Sequence, residues 1–93
     1  MPRLEVRATA HIKSGENFRV AMLRNISSNG LQVQGDELPP VGTYVSVFID
    51  GLTIPAGEVV WSRGCLAGVE LFETLSWTSI IPWVRGAVRK APS

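Results

Sequence analysis

Apolar and polar residues alternate without a break from Leu4 to Lys13. The apolar positions all fall on one face of an extended chain: Leu4, Val6, Ala8, Ala10 and Ile12. A period of two residues is typical of a β-strand that buries one of its faces. The pattern therefore predicts a half-buried strand over residues 4–13, ended by the turn residues Ser14 and Gly15.

Five further segments have strand patterns and are separated by turn or loop sequences. They cover residues 18–26, a short strand around 31–33, and residues 44–50, 52–61 and 66–72. In the second strand we expect Phe18, Val20 and Met22 to face the core. Six short strands at near-regular spacing favour a barrel or a closed sandwich over an open sheet. We predict an all-β protein, a six-stranded antiparallel β-barrel over about residues 4–72.

The period changes near the C-terminus. Apolar residues then recur at intervals of three and four, which predicts a C-terminal α-helix over about residues 76–89: Trp77, Ile80, Ile81, Val84 and Val88. Ser76 or Ser79 is suited to cap its start. Pro82 fits only a first turn, so the regular helix should cover residues 80–89. The stripe should pack against the barrel, whereas Trp83 lies off it and is expected to be exposed.

Composition narrows the function. A length of 93 residues predicts a single domain, residues 1–93. Nine basic and eight acidic residues give a net charge of +1, which is too small for a general DNA- or RNA-binding protein. The single cysteine, Cys65, excludes an internal disulfide and is expected to be a small core residue. No apolar run approaches the length of about 18 residues needed to span a membrane, and no signal peptide is recognisable. We expect a cytoplasmic protein without membrane insertion.

An enzymatic function finds no support in the sequence. The one histidine, His11, belongs to the polar face of the first strand. There is no Ser-His-Asp or Cys-His spacing, no glycine-rich phosphate loop and no Asp/Glu/His cluster for a metal. We therefore predict a non-enzymatic protein with no catalytic residue, no metal and no cofactor.

One short motif carries candidate chemistry. Residues 25–30 have the pattern Asn-x-Ser-x-x-Gly and lie between the second and third predicted strands. Gly30 is expected to supply a positive φ, and Asn25 and Ser27 can hydrogen-bond around the turn. Such a turn can support a shallow, hydrogen-bonding surface. Taken alone, the motif is equally typical of an ordinary hairpin.

The order of motifs along the chain resembles the PilZ domain, a small bacterial split β-barrel whose best-known members bind cyclic di-GMP. The resemblance rests on six segments in sequence order: residues 2–7, 25–33, 39–42, 45–49, 57–61 and 67–71. In that family an Arg-x-x-x-Arg element and an Asp/Asn-x-Ser-x-x-Gly element form the nucleotide site. The resemblance implies that cyclic di-GMP is bound by residues at five positions here: Arg3, Arg7, Asn25, Ser27 and Gly30.

Two alignments of the arginine element are open. Read literally, Arg3 and Arg7 are the family's pair. In the family, however, the pair precedes the first strand, whereas Arg7 already belongs to the alternating pattern of that strand. Counted back from Asn25, Arg3 takes the place of the second arginine and the first is absent. We favour this second alignment. The family's Asp/Asn position is occupied by Asn25, which can both donate to and accept from a guanine edge.

Two functions follow. In the first, cyclic di-GMP binds as one molecule or as a stacked dimer, orders the N-terminal segment, and an unknown protein partner responds to that ordering. In the second, the protein is a PilZ-like adaptor that works through protein contacts without a nucleotide. An exposed Trp83 would suit such a partner, or a homodimer formed through the C-terminal helix.

Overall fold

The computed structural model describes residues 3–90, with side chains described as far as residue 86. Six strands and one helix follow one another along the chain: β1 (Leu4–Ser14), β2 (Asn17–Ile26), β3 (Gly30–Gln34), β4 (Tyr44–Ile49), β5 (Gly57–Arg63), β6 (Leu66–Leu71) and α1 (Trp77–Lys90). All pairings are antiparallel, and the strands close in the order β1-β2-β3-β6-β5-β4. The predicted six-stranded barrel with a C-terminal helix is confirmed.

The core fills the inside of the barrel with aliphatic side chains. In β1 the predicted alternation is confirmed, and its inward side chains end in the fully buried Ala10 and Ile12. The most deeply buried large side chains come from four strands and the helix: Ile12, Leu23, Ile26, Val33, Val59 and Ile80. Burying one such side chain stabilises the fold by about 1.5–3 kcal/mol.

The second strand faces the opposite way from the prediction. Phe18 and Val20 are 55% and 65% exposed, and Met22 is also exposed, whereas Ala21 and Leu23 are buried. Both faces of β2 carry apolar residues, so the period alone could not choose between them. Pairing with β1 determines which face of β2 points inward, because it sets Ala21 opposite the fully buried Ala10. The larger side chains are left outside.

Bulges change the direction of side chains in three strands. The register shifts between Glu5 and Ala8 in β1, between Leu23 and Asn25 in β2, and between Val59 and Trp61 in β5. An extra residue in one strand of a pair breaks the alternation there. Arg24 and Asn25 are therefore both only half-buried, and Val60 and Trp61 are both exposed, although each pair is consecutive.

The fifth strand begins later than predicted. Leu52 forms only an isolated bridge with Ile49, and regular pairing starts at Gly57 rather than at residue 52. Pro55 lies in the intervening segment and has no N–H to donate to a strand pair. Cys65, predicted to be in the core, is exposed because it lies in the tight turn next to Gly64, which has a φ of +58°.

Helix α1 starts at Trp77 and is held against the barrel. Ser76 caps it, since its Oγ accepts a hydrogen bond of 3.2 Å from the backbone N–H of Thr78. The helix agrees with the predicted span of about residues 76–89, but its regular turns do not wait until residue 80, and Pro82 lies in the second turn. Burial of Ile80 and partial burial of Trp77 hold the earlier turn in place despite the donor that Pro82 lacks.

Trp83 was predicted to be exposed, and this prediction is wrong. It is partly buried against the core, and its Nε1–H donates a 2.9 Å hydrogen bond to the Asp50 carbonyl. Three residues after Ile80, it borders the same face of the helix. The reason to expect a homodimer through this helix is therefore gone.

No helix within residues 3–90 has the length and apolar character needed to cross a membrane.

Candidate functional site

The Asn-x-Ser-x-x-Gly motif forms the tight turn between β2 and β3. The Ser27 N–H donates to the Gly30 carbonyl at 2.9 Å. The Ser27 hydroxyl accepts from the Gly30 N–H at 3.1 Å and donates to the Gly30 carbonyl at 3.3 Å. The Ser27 side chain is buried, and its hydrogen-bonding capacity is used inside the turn. Its role in the geometry is to fix the shape of the turn.

Gly30 is needed for a different reason from the one predicted. Its φ is not positive, and it is the first residue of β3, opposite Glu70 of β6. A Cβ on Gly30 would lie 2.8 Å from the Val69 carbonyl oxygen, closer than real Cβ atoms approach an oxygen. The expectation of a left-handed conformation was wrong. Close approach of two backbones explains the glycine instead.

The same turn is fastened to the segment that leads into helix α1. The Asn29 carbonyl accepts a 2.8 Å hydrogen bond from the Leu71 N–H, at the end of β6. The Ser28 carbonyl accepts one of 2.7 Å from the Leu75 N–H, immediately before the helix cap. The turn is therefore held both by its own strands and by the C-terminal part of the chain.

One row of side chains crosses the barrel wall beside this turn. Cross-strand pairing sets five residues in line, one from each of β1, β2, β3, β6 and β5: Glu5, Asn25, Gln32, Gly68 and Trp61. The Asn25 Nδ2 donates to the Gln32 Oε1. Each amide side chain has two N–H donors and one carbonyl acceptor, so this pair keeps further hydrogen-bonding capacity. The row thus combines amides with an aromatic ring.

Trp61 lies directly over Gly68. A Cβ on Gly68 would overlap the indole nitrogen and the ring carbons next to it, so only glycine allows the ring to lie there. Sequence reasoning missed this residue, because the pairing of Trp61 with Gly68 depends on the bulge at Val60. The run Val59-Val60-Trp61, which breaks strict alternation, was the available signal.

Four residues of the row line an open concavity of about 450 Å³, here called the first concavity: Asn25, Gln32, Gly68 and Trp61. It brings together four of the five predicted site residues, Arg3, Asn25, Ser27 and Gly30. Its volume falls within the range of small-molecule sites, roughly 300–1,000 Å³. Arg7 does not line it. Arg7 instead borders a second concavity of about 480 Å³ together with Arg24 and Gln34.

The first concavity has both signs of charge. Arg3 is exposed at one side, and Glu70 lines another. Neither of them forms an ion pair with another described residue, whereas Arg19 and Glu37 pair with each other elsewhere. No group of three His, Cys, Asp or Glu side chains in the described part of the chain could hold a metal. A cation, amides, a carboxylate and an indole together suit a ligand with phosphates and a polar aromatic base.

The chain matches the model of a known protein family. No curated protein matches the chain. The family model for the PilZ domain matches residues 1–80, which covers most of the sequence, all six strands and the motif turn. The chain therefore belongs to the PilZ domain family.

Proposed function

We propose that this PilZ domain is a receptor for cyclic di-GMP that passes the signal on through protein contacts. PilZ domains are binding and adaptor modules, and the family typically binds this nucleotide. The observation that carries the proposal is the shared concavity of Arg3, Asn25, Ser27 and Gly30. These are the residues that the family motifs assign to the ligand, with Arg7 set apart.

The chemistry of the first concavity fits the parts of the ligand. The planar guanidinium of Arg3 can pair bidentately with phosphate oxygens or with guanine O6 and N7. The Asn25–Gln32 amide pair offers donors and an acceptor to a guanine edge. The indole of Trp61 offers a face on which a base can stack. Ser27 and Gly30 keep the turn in the shape that presents these groups.

The N-terminal segment is the part of the site best placed to transmit binding. Arg3 immediately precedes β1 and is exposed, so it is held less firmly than residues within the barrel. Pairing of Arg3 with a bound phosphate would fix the path of the segment. We expect an as yet unknown protein partner to recognise the segment in that fixed position.

Affinity should be lower than in relatives with two motif arginines. In the alignment that we favour, Arg3 is the residue within positions 1–93 that represents the pair. A hydrogen bond to a charged group contributes roughly 1.5–3 kcal/mol, so the loss of one arginine corresponds to roughly ten- to hundredfold weaker binding. Cyclic di-GMP should still bind specifically.

Isothermal titration with cyclic di-GMP tests the proposal. Arg3→Ala should remove nearly all binding, whereas Arg7→Ala should have a smaller effect because Arg7 lies outside the first concavity. Arg19→Ala, which removes an arginine paired with Glu37, is the matched control and should bind like the wild type. Equal, large losses for Arg3→Ala and Arg7→Ala would restore the literal arginine pair. Absence of heat and of chemical-shift changes at millimolar ligand would refute the receptor function.

One observation favours the alternative, a nucleotide-independent adaptor. Three exposed apolar side chains of the barrel's outer wall, here called the apolar face, lie on the two strands that flank β1: Phe18 and Val20 on β2, and Phe48 on β4. The ring centroids of Phe18 and Phe48 are 6.3 Å apart. His11 of β1 lies between the two strands and pairs with Val20 on one side and with Phe48 on the other. Clustered exposed aromatics are typical of protein interfaces.

The two functions make different demands on the same experiment. If the protein is a receptor, it must bind the nucleotide, and its affinity for the nucleotide should not depend on the apolar face. An adaptor requires the apolar face and is indifferent to Arg3. A wild-type protein that gives no heat with cyclic di-GMP, together with a partner lost in Phe18→Ser but kept in Arg3→Ala, would establish the adaptor.

A further inference from the structure

We infer that Arg24, supported by Arg7, forms a phosphate-binding subsite next to the first concavity. The inference deepens the proposed function and rests on it, since the expected source of the phosphate is a nucleotide seated against Asn25. Neither the Asn-x-Ser-x-x-Gly motif nor the Arg-x-x-x-Arg element contains Arg24. Three features of the molecule support the subsite: the bulges, the unpaired charges and the position of the second concavity.

The bulges bring the two arginines to the same part of the outer wall. In β1 the extra residue lies between Glu5 and Ala8, the stretch that contains Arg7. In β2 it lies between Leu23 and Asn25, where Arg24 is the residue between. Arg7 and Arg24 both line the second concavity, which has a volume of about 480 Å³. Two guanidinium groups thus share one hollow on adjacent strands.

Neither guanidinium is neutralised. No described carboxylate lies within 4.0 Å of the Arg7 or Arg24 nitrogens, although Asp36 lines the same concavity. Arg24 Nη1 donates to the side-chain oxygen of Gln34, a neutral partner that orients the guanidinium without cancelling its charge. Two like charges in one hollow attract an anion, and the guanidinium fork matches phosphate oxygens.

The subsite directly adjoins the groups proposed to hold the base. Arg24 and Asn25 are consecutive and both half-buried at the bulge, and each hydrogen-bonds a glutamine of β3. Those two partners, Gln34 and Gln32, are two residues apart, which in a strand is roughly 6.6 Å. A nucleotide whose guanine contacts Asn25 therefore has a phosphate within the reach of a long arginine side chain.

Titration of Arg24→Gln with cyclic di-GMP is the direct test. Loss of one charged hydrogen-bonding group should weaken binding roughly tenfold or more, and Arg7→Gln should weaken it less. Arg19→Gln changes the same residue type on the same strand, where Glu37 already pairs with it, and should leave affinity within about twofold. Arg24→Lys, which keeps the charge but loses the fork, should recover only part of the affinity. Thermal unfolding of each variant shows whether the fold is intact.

A second measurement separates this inference from the proposed function. Titration of the wild type with inorganic phosphate, followed by the NMR signals of the arginine Nε–H groups, should shift Arg24 and leave Arg19 in place. If cyclic di-GMP fails to bind but phosphate shifts Arg24, the receptor function is wrong and the subsite takes an independent phosphate. If cyclic di-GMP binds wild type and Arg24→Gln equally, the subsite is refuted and the receptor function stands. If neither probe acts on Arg24, the subsite is refuted.

Discussion

Two parts of the barrel's outer wall contrast sharply although they share a strand. Near one end of β2, Asn25 joins a row of amides and an indole over the first concavity. Near the other end, Phe18 and Val20 belong to the apolar face. The strand between them buries Ala21 and Leu23 in one continuous core. One strand thus supports a polar hollow, an apolar surface and part of the core.

The contrast shows which positions the fold constrains. Inside, the side chains must fill a narrow closed space, so their volumes are fixed by their neighbours. Outside, the alternation leaves the chemistry of each position open. Bulges add a second freedom, because they turn consecutive residues such as Arg24 and Asn25 to the same side. The proposed site lies on the outer wall, where stability depends least on residue identity.

The largest expected effect separates the inside of β2 from its outside. Leu23→Ala should lower the free energy of unfolding by about 2–5 kcal/mol, because Leu23 is fully buried and the change leaves a cavity. Val20→Ser, three residues earlier and 65% exposed, should change it by less than about 0.5 kcal/mol. Urea unfolding followed by circular dichroism measures both. A large loss for Val20→Ser would mean that the outer wall of β2 is covered.

The next effect concerns the motif turn beside the first concavity. Gly30→Val should destabilise the fold by roughly 1–3 kcal/mol, since its Cβ has no room beside the Val69 carbonyl. Gly15→Ala provides a comparison of another kind: its Cβ would meet nothing, but its φ of +59° disfavours a side chain. A smaller loss at Gly30 than at Gly15 would contradict the close-approach argument. Unfolding in urea decides between the two.

Trp61 tests whether the polar part recognises a base. Trp61→Ala should weaken cyclic di-GMP binding by about 1–3 kcal/mol, the contribution of one stacked base, whereas Trp61→Phe should keep part of it. Calorimetric titration of both variants gives the comparison. Equal affinity for wild type, Trp61→Phe and Trp61→Ala would remove the indole from the site and leave Asn25 and Arg3 as its main contacts.

The smallest effect on the folded protein is expected at the apolar face. Phe18→Ser and Phe48→Ser remove exposed rings, 55% and 51% accessible, and should change unfolding free energy by no more than about 0.5–1 kcal/mol. Their affinity for cyclic di-GMP should equal that of the wild type. Calorimetry and urea unfolding check both statements. A change in nucleotide affinity would show that the two parts of the wall are coupled.

The sequence predicted the fold well wherever one face of a strand was clearly apolar, as in β1. It failed in β2, because Phe18 and Leu23 are both apolar and only pairing with β1 selects the inward set. For Gly30 it identified the residue but not the reason, since close approach to Val69 is a property of β6 and not of the turn. Trp61 was missed, because its position over Gly68 depends on a bulge in β5 and on the pairing of β5 with β6.

The hydrogen bond from the Leu75 N–H to the Ser28 carbonyl has a mechanical consequence. It ties the tip of the motif turn to the last residue before the Ser76 cap, so the helix begins at a point fixed by the turn. Any displacement of the turn by a bound molecule would pull on that starting point. The rate at which the Leu75 amide hydrogen exchanges with solvent would then depend on whether a molecule is bound against the turn.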